Sequence, residues 1–460
     1  MKRLSILFIS VLLFGRSIPE GYISPIPADV LTKPETKVHF GILHFNDGIP
    51  TPPSKQKIAD ELAYMRLSEL YFENHEAVWL EILNQQLERL SITPNKTLAI
   101  TASPITSKVL WPMLDPRNIY TVGIVDTRNS PVIVRMPEDI ESAVILDHYG
   151  NKIASLKKNG DYLLYGPNEN FVPSTQMVRL GDTEIEFKTF QSPTYTNFLF
   201  IQTPREADIE RFKSTLRIIP KDVNTTYINN FTDISNTTSI ALLPKSARFF
   251  KLLDTIVQND TVPEEKAKQT ALAGIAKNKP FQPDMHQRLL LQDAAHSAGI
   301  ILSNTPKLCR LKALDEIPNH KARFTLYKDE KNDTLDGGNS YVLHIPPNLP
   351  AQSWSVTLYD TQTASMLQNP LQPRPYILSN EANLHYNYNG SIDIHFSPQT
   401  NDDDAGDVNT IKSVPGKNFF VIVRFYNLDQ NNSQEQIHLL LQKLENGASK
   451  ETSNEKVSVF

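Results

Sequence analysis

Cysteine is almost absent from this sequence: only Cys309 carries a thiol among 460 residues. A single cysteine excludes a disulfide within the chain, and an isolated cysteine of this kind is typical of a buried structural thiol. The fold must therefore be stabilised by burial of apolar side chains. A hydrophobic content of 40% and a charged content of 21% are typical of a globular protein and exclude wholesale disorder.

The sequence also lacks an excess of positive charge. It has 46 Lys and Arg residues against 51 Asp and Glu residues, for a formal net charge of −5. The basic residues are dispersed along the chain rather than clustered. Without a basic patch there is no electrostatic reason for the protein to bind nucleic acid or an anionic membrane surface. We therefore expect no nucleic-acid partner.

Long apolar runs are absent beyond the N-terminus. Lys2 and Arg3 precede the apolar run Leu4–Phe14, which is too short to span a bilayer comfortably but has the length of a signal-peptide core. The run predicts a signal peptide over residues 1–17 and export to the periplasm or the cell exterior. Its retention as an anchor is the alternative. No other segment has the length and apolar character of a membrane span, so we expect none after signal cleavage.

The common catalytic signatures are missing as well. The chain has no Gly-x-Ser-x-Gly elbow, Walker loop, dinucleotide-binding glycine turn or zinc quartet. His75-Glu76 begins a zinc-protease pattern, but Trp79 stands where the second histidine is needed. The acidic loop 401–409 places Ala405 where an EF-hand needs an oxygen ligand. These observations predict neither a metal nor a cofactor.

The sequence does contain a C-terminal region with clear strand periodicity. Ser340–Ile345 and Trp354–Tyr359 are rich in β-branched and aromatic residues and are bounded by glycines and prolines. Asn389-Gly390 predicts a two-residue hairpin. Phe419–Phe425 is apolar on both faces, which predicts a strand covered on both sides.

One charged residue interrupts that last strand. Arg424 lies on the same strand face as Phe420 and Ile422. A buried guanidinium there would need a carboxylate or several carbonyls to offset its desolvation, and Asp360 is the predicted partner. The alternative is an arginine on an edge strand that reaches solvent.

These residues resemble the C-terminal module of a two-module bacterial family, whose halves are domains of unknown function 1254 and 1214. Two departures separate this chain from the family pattern: the stretch Asn409–Pro415 lacks an expected Trp, and the expected Arg-Tyr pair is interrupted as Arg374-Pro375-Tyr376. If the missing Trp lines a ligand site in the family, that site is altered here. The matching residues are Asp336, Asn339, Tyr341, Trp354, Ser355, Thr357, Tyr359, Asp360, Asn369, Pro370, Arg424 and Tyr426.

The segments Tyr120–Asp126 and Ser130–Pro137 resemble the N-terminal module of the same family. That module usually opens with N-x-D-T-x-Y, and only Tyr120 of that pattern is present here, after Asp115. The polar constellation of the family is weakened at this point. The two modules share a sequence pattern: a strand, a proline, a spacer and a strand that ends in Asp. This internal repeat indicates two related β-sandwiches.

The pattern predicts an α+β, mainly β, protein with two jelly-roll-like β-sandwich modules and helical segments between and before them. The predicted boundaries are 1–17 for the signal peptide, 18–53 for an extended Pro-rich arm, 54–204 for an N-terminal helix plus the first β module, 205–320 for a helical intervening segment, 321–442 for the second β module and 443–460 for a polar tail.

Aromatic, amide and charged residues of the two modules are the candidates for a ligand site between them. The competing interpretation is that the aromatic residues belong to the cores and that the strand-end aspartates close turns. The candidates are Tyr120, Asp126, Trp354, Tyr359, Asp360, Asn369, Arg424 and Tyr426.

Three functions remain open on the sequence alone. The leading hypothesis is an exported envelope protein that binds a small molecule or a glycan. The second is a hydrolase with a carboxylate and tyrosine site at the module interface. The third is a structural or host-interaction protein. An oligomer is compatible with each of them.

Overall fold

The computed structural model describes residues 27, 29–180, 182–223, 227–303, 321–398, 408–428 and 440–444. The signal peptide, Cys309, most of the acidic loop and most of the polar tail lie outside these residues.

The fold is α+β and mainly β, as predicted. No helix in the described part of the chain is both long and apolar enough to cross a membrane. The helices are α1 (Pro52–Arg89), α2 (Ile209–Thr215), α3 (Arg248–Asn259), α4 (Glu264–Ala271) and α5 (Met285–Ser303).

Short strands make up most of the remaining regular structure. The N-terminal strands are β1 (Glu35–Val38), β2 (Gly41–Asn46), β3 (Ile49–Pro50), β4 (Thr97–Ile100), β5 (Val109–Leu110), β6 (Asn118–Asp126), β7 (Val132–Arg135), β8 (Ser142–Asp147), β9 (Lys152–Ser155), β10 (Asp161–Tyr165), β11 (Thr175–Leu180), β12 (Thr183–Gln191) and β13 (Thr196–Pro204). The later strands are β14 (Arg217–Pro220), β15 (Asn230–Asp233), β16 (Ser239–Ile240), β17 (Lys321–Leu326), β18 (Ser340–Ile345), β19 (Ala351–Asp360), β20 (Tyr376–Leu378), β21 (Ile392–Pro398), β22 (Thr410–Ser413), β23 (Phe419–Leu428) and β24 (Leu440–Leu444).

The chain divides into two compact units within α1, between Ala63 and Tyr64. In the first unit, β1, β2 and β3 form a three-stranded antiparallel sheet. The prediction of an extended arm over 18–53 is therefore wrong for the described part of that range. The turn between β2 and β3 explains the difference: Asp47 and Gly48 both have positive φ, at 50° and 81°, as the tight turn of a hairpin requires.

In the second unit, two sheets form the first β module. One has the strand order β11-β12-β10-β7-β14, and the other has the order β15-β4-β6-β13-β8-β9. Side chains from both sheets, such as Val134 of β7 and Leu199 of β13, meet in one buried core. On each strand, the residues that alternate with these core residues point to the opposite face of the sheet.

The second β module also consists of two sheets. Their strand orders are β17-β23-β19-β20 and β22-β21-β18-β24. Leu343 of β18 and Val356 of β19 belong to the same buried core, so the inner faces of the two sheets pack together. The two-sheet arrangement supports the mainly β prediction, and jelly-roll connectivity stays a prediction.

The hairpin predicted at Asn389-Gly390 is wrong. A turn is present there, closed by the amide of Asn387 on the carbonyl of Ser391. The residues before the turn form no strand, however, and β21 pairs instead with β18, in a register that places Ile392 opposite Ile345. The turn signal was correct, but the pairing was decided by the apolar face of a strand distant in sequence.

A third core is shared by the two modules. Val122 and Ile124 of β6 belong to it, together with Phe420 and Ile422 of β23 and Leu83 of α1. The alternate residues of the same two strands face the inner core of their own module. β23 is buried on both faces, which confirms the prediction from its sequence.

The helices form a separate core in the second unit. α3 and α5 bury apolar side chains against the later turns of α1, where the ring of Tyr71 stacks on Phe249 at a centroid distance of 3.9 Å. α1 is continuous through Asn74, whose side-chain amide donates to the Leu70 carbonyl within the helix. The helix expected from Arg205 starts at Ile209, after the N-cap Asp208.

Buried charges connect the helices to the first β module. His148 follows β8, with Nδ1 at 3.1 Å from Oδ2 of Asp260 and Nε2 at 3.3 Å from Oε2 of Glu81. Burial alone would lower the pKa of His148, but the two carboxylates raise it. Burial alone would raise the pKa of Asp260, but hydrogen bonds from His148 and from the amides of Tyr195 and Thr196 lower it to about 2.

These shifts predict two limits on stability. The contribution of Asp260 is fully present above its ordinary pKa and is lost as the pH falls towards 2, which costs on the order of 2 kcal/mol. The contribution of His148 is present below its ordinary pKa of about 6.5 and is lost as the pH rises through its raised value. Denaturant unfolding at a series of pH values measures both effects.

The variant His148→Gln separates this cluster from other titrating groups. We expect it to lower the unfolding free energy below about pH 6 and to flatten the decline on the alkaline side. His296→Gln, an exposed position on α5, is the matched control. A His148→Gln profile parallel to that of the unmodified protein would contradict the assignment.

Candidate functional site

Four of the predicted site residues come together where the modules share their core. Arg424 and Tyr426 lie on the face of β23 that includes Phe420, and Tyr359 lies on the neighbouring strand β19. Tyr120 projects from β6 in the first module, beside the loop that carries Asp115. The alternation of side chains along these strands places all four on the faces that the modules share.

Arg424 is buried, and its guanidinium contacts groups of both modules. Its Nη1 donates to the hydroxyl of Tyr359 at 2.9 Å, and its Nη2 donates to the carbonyl of Met113 at 3.1 Å. Its Nε lies 3.8 Å from Oδ2 of Asp115, an ion-pair distance. The side-chain exposures of Arg424 and Asp115 are only 9% and 10%. The guanidinium of the second module is thus neutralised by the first module.

The predicted pairing of Arg424 with Asp360 is wrong, and so is the alternative of an edge arginine. β23 lies between β17 and β19, so Arg424 is on an interior strand. Asp360 instead accepts a hydrogen bond from Lys417 at 3.2 Å and from the amide of Gln362 at 2.7 Å. It closes the turn after β19, the role that strand-end aspartates commonly have.

Asp115 completes the network around Arg424. Its Oδ1 accepts a hydrogen bond from the hydroxyl of Tyr426 at 2.6 Å, and that hydroxyl lies 2.9 Å from Oγ of Ser355. The amide of Asp115 donates to the hydroxyl of Tyr120 at 2.8 Å. Asp115 and Ser355 were not among the predicted site residues, although Asp115 stands three residues before Asn118 in the weakened motif that opens the first module.

The electrostatics keep Arg424 charged and the tyrosines neutral. Burial alone would lower the pKa of Arg424, but Tyr359 and Asp115 raise it above its ordinary value. Burial, with the negative charge of Asp115, raises the pKa of Tyr120 and Tyr426. Neutral phenols in hydrogen bonds to a buried ion pair act as structural donors and acceptors, and they are poorly suited to serve as bases near neutral pH.

The other predicted site residues lie elsewhere. Trp354 packs in the inner core of the second module. Asp126 accepts a hydrogen bond from the amide of Arg128 at 2.8 Å, in a turn after β6. Asn369 is buried and accepts one from the amide of Leu371 at 3.0 Å. The structure therefore brings together Tyr120, Tyr359, Arg424 and Tyr426. The other four candidates, Asp126, Trp354, Asp360 and Asn369, lie apart from this group.

A cavity of about 260 Å³ lies close to this network and is partly enclosed. Met113 links the two features, because its carbonyl accepts from Arg424 and the next residue back, Pro112, lines the cavity. Asp360 also contributes indirectly, since the turn that it closes carries two lining residues. The wall comprises Tyr71, Trp79, Pro112, Leu242, Leu243, Lys245, Gly299, Leu302, Ser303, Gln362 and Thr363.

The aromatic part of this wall is held in place. The indole Nε1 of Trp79 donates to the carbonyl of Ala241 at 2.8 Å, and its ring meets Trp111 edge to face. The hydroxyl of Tyr71 donates to the carbonyl of Pro244 at 3.2 Å. These contacts fix both rings without a ligand, which lowers the entropic cost of binding.

Comparison with protein families finds two matches in this chain. Residues 97–220 match the model described as a protein of unknown function, DUF1254. Residues 320–430 match the model described as a protein of unknown function, DUF1214. The order along the chain is the one predicted from the sequence, and the resemblance is confirmed. No curated protein matches the chain.

Two solved structures resemble the chain at low sequence identity. The VPA0106 protein from Vibrio parahaemolyticus is 15% identical, with coverage of 83% of this chain and 100% of that one and a TM-score of 0.46. A protein from Burkholderia cenocepacia is 10% identical, with coverage of 85% and 97% and a TM-score of 0.39.

The ion pair at the module interface predicts a large effect of a single substitution. Arg424→Met leaves the carboxylate of Asp115 buried without its counter-charge, and we expect it to lower the unfolding free energy by about 3–5 kcal/mol. The double variant Arg424→Met with Asp115→Leu removes both charges and is expected to lose less than the sum of the single variants. Urea unfolding monitored by circular dichroism measures all three.

A surface pair provides the control. Lys213 and Glu210 of α2 form an ion pair at 2.8 Å, and the side chain of Glu210 is largely exposed. Lys213→Met is therefore expected to change the unfolding free energy by less than about 1 kcal/mol. Equal unfolding midpoints for Arg424→Met and Lys213→Met would show that the interface pair contributes nothing.

Proposed function

We propose, from the premise that the chain belongs to the family joining a DUF1254 domain to a DUF1214 domain, that it is an exported protein that binds a small molecule. The binding site is the cavity lined by Tyr71 and Trp79. The observation that supports this proposal is a partly enclosed, mainly apolar space with two fixed aromatic walls and a few polar groups. Pockets for small ligands usually combine these features.

The size of the cavity favours a small molecule over a glycan chain. Its volume of about 260 Å³ lies just below the range of roughly 300–1,000 Å³ that is common for ligand pockets. Trp354, one of the predicted site residues, has no exposed ring face on which a sugar could stack, because it is buried in the second module.

The hydrolase hypothesis has less support from the geometry. A hydrolytic site needs a carboxylate or another base within reach of a bound substrate. At the module interface Asp115 is buried and engaged by Tyr426, by Arg424 and by the amide of Arg117. Its oxygens are used to join the modules. None of the cavity-lining residues in the described part of the chain is a carboxylate or a histidine.

Export is the second part of the proposal. The apolar run Leu4–Phe14, preceded by Lys2 and Arg3, supports it. Cell fractionation with mass spectrometry of the processed N-terminus tests this part. Recovery of the unprocessed chain from the cytoplasm would refute it and would leave the binding proposal unaffected.

The binding proposal is tested by thermal unfolding in the presence of a ligand panel. The panel contains short fatty acids, esters, alcohols, simple sugars and metal salts. A ligand that binds only the folded chain at about 100 times its Kd should stabilise it by about 2.7 kcal/mol and raise the unfolding midpoint. We expect a shift with small apolar compounds and none with sugars.

Two substitutions at one exposed rim position localise the effect. Gln362 is exposed on the turn after β19 and lines the cavity, so Gln362→Trp is expected to obstruct the cavity and abolish the shift. Gln362→Ala, the matched control, should preserve the shift. A shift that survives Gln362→Trp would place binding elsewhere, and an absence of any shift across the panel would refute the proposal.

A further inference from the structure

Lys245 is the one charged residue among the described residues that line the cavity. It follows Pro244 in the segment between β16 and α3, and its side chain is half-buried. The remaining wall is formed by aromatic, aliphatic and uncharged polar residues. An ammonium group on such a wall is incompletely hydrated, and a nearby negative charge would stabilise it.

The protein itself supplies no such charge in the part that the structure describes. Lys213, Lys268, Lys321 and Lys417 each lie within ion-pair distance of a carboxylate. Within the described ranges, no carboxylate lies within that distance of the Lys245 ammonium group. Among the described residues, the ammonium group of Lys245 therefore has no carboxylate partner and is free to pair with an anion in the cavity.

The position of Lys245 is set by close packing on α5. A Cβ atom added at Gly299 would lie only 2.8 Å from Cγ of Lys245 and 3.0 Å from the hydroxyl of Tyr71. The absence of a side chain at Gly299 thus lets the lysine stem cross the helix surface. The carbonyl of the preceding residue, Pro244, accepts the hydrogen bond from Tyr71. The lysine is anchored from two sides before any ligand binds.

We infer that the cavity binds a small carboxylate with an apolar body, and that Lys245 is the counter-ion of the carboxylate. This inference rests on the proposed function and specifies its ligand class. The apolar body lies against the leucines and the aromatic rings of Tyr71 and Trp79, where its burial contributes roughly 25 cal/mol per Å². The volume of about 260 Å³ suits a chain of a few carbon atoms.

The test compares two probes of similar length, one with a charged and one with a neutral head group. Hexanoate and hexan-1-ol have similar apolar bodies, and isothermal titration calorimetry on the full processed chain measures the Kd of each. We expect hexanoate to bind about tenfold more tightly or better, because only hexanoate adds an ion pair with the Lys245 ammonium group to the hydrogen bond that either probe can accept. Inorganic phosphate, an anion without an apolar body, should bind more weakly than hexanoate.

Three variants assign the difference to Lys245. Lys245→Met should remove the preference for hexanoate over hexan-1-ol, whereas Lys245→Arg should keep much of that preference. Gly299→Ala should weaken hexanoate binding by displacing the lysine stem. Gly338→Ala is its control, because an added Cβ there meets nothing closer than 3.5 Å.

The outcomes separate this inference from the proposed function. Equal Kd values for hexanoate and hexan-1-ol, or a preference that survives Lys245→Met, would overturn the assignment of the anion site and leave small-molecule binding intact. Failure of both probes to bind would overturn the ligand class, and failure of the wider panel as well would overturn the proposed function.

Discussion

The need to neutralise one buried guanidinium determines how the two β modules fit together. β23 is covered on both faces, and Arg424 lies on the face that the second module shares with the first. A charge in that position would cost several kcal/mol if it lacked partners. Its partners are the carboxylate of Asp115 and the carbonyl of Met113, both from the first module, and the hydroxyl of Tyr359. Apolar side chains of both modules surround the pair, and the ion pair restricts the relative position that the modules can take.

The same interface shows how far sequence reasoning extends. The apolar character of both faces of Phe419–Phe425 was sufficient to predict a doubly covered strand, in which a buried Arg424 would need a carboxylate or several carbonyls. It was insufficient to identify that carboxylate, because a strand pattern describes which side a residue faces and says nothing about what is opposite. Asp360 lies opposite Phe419, five positions along β23 from Arg424, at a strand end where it closes a turn. The true carboxylate partner, Asp115, is distant in sequence, and so is Met113, whose carbonyl accepts from Arg424 across a separation of 311 residues.

The cavity could not be predicted from the sequence, for a related reason. Its wall draws on α1, α5, the segment before α3, and turns from both modules, and each contributes only one to three residues. No local pattern marks Lys245 or Gly299 as neighbours. Turns are easier to predict from the sequence than strand partners. Asp47-Gly48 is a hairpin signal of this kind. Asn389-Gly390 is another, and it predicted the turn but not the strand pairing. Short-range rules describe turns well, and the partners of strands depend on distant apolar faces.

The dependence of Arg424 on the first module has a consequence for synthesis and for evolution. During synthesis Asp115 leaves the ribosome early and β23 near the end. The core that the two modules share therefore cannot form until most of the polypeptide has been made. Until then the first module exposes an apolar face with an acidic group at its edge. Neither module is a self-sufficient building block, because separation would leave Phe420 and Ile422 of one and Val122 and Ile124 of the other open to solvent. Recombination that transferred one module without the other would thus produce a protein prone to aggregate, a selective reason for the two to be inherited as a pair.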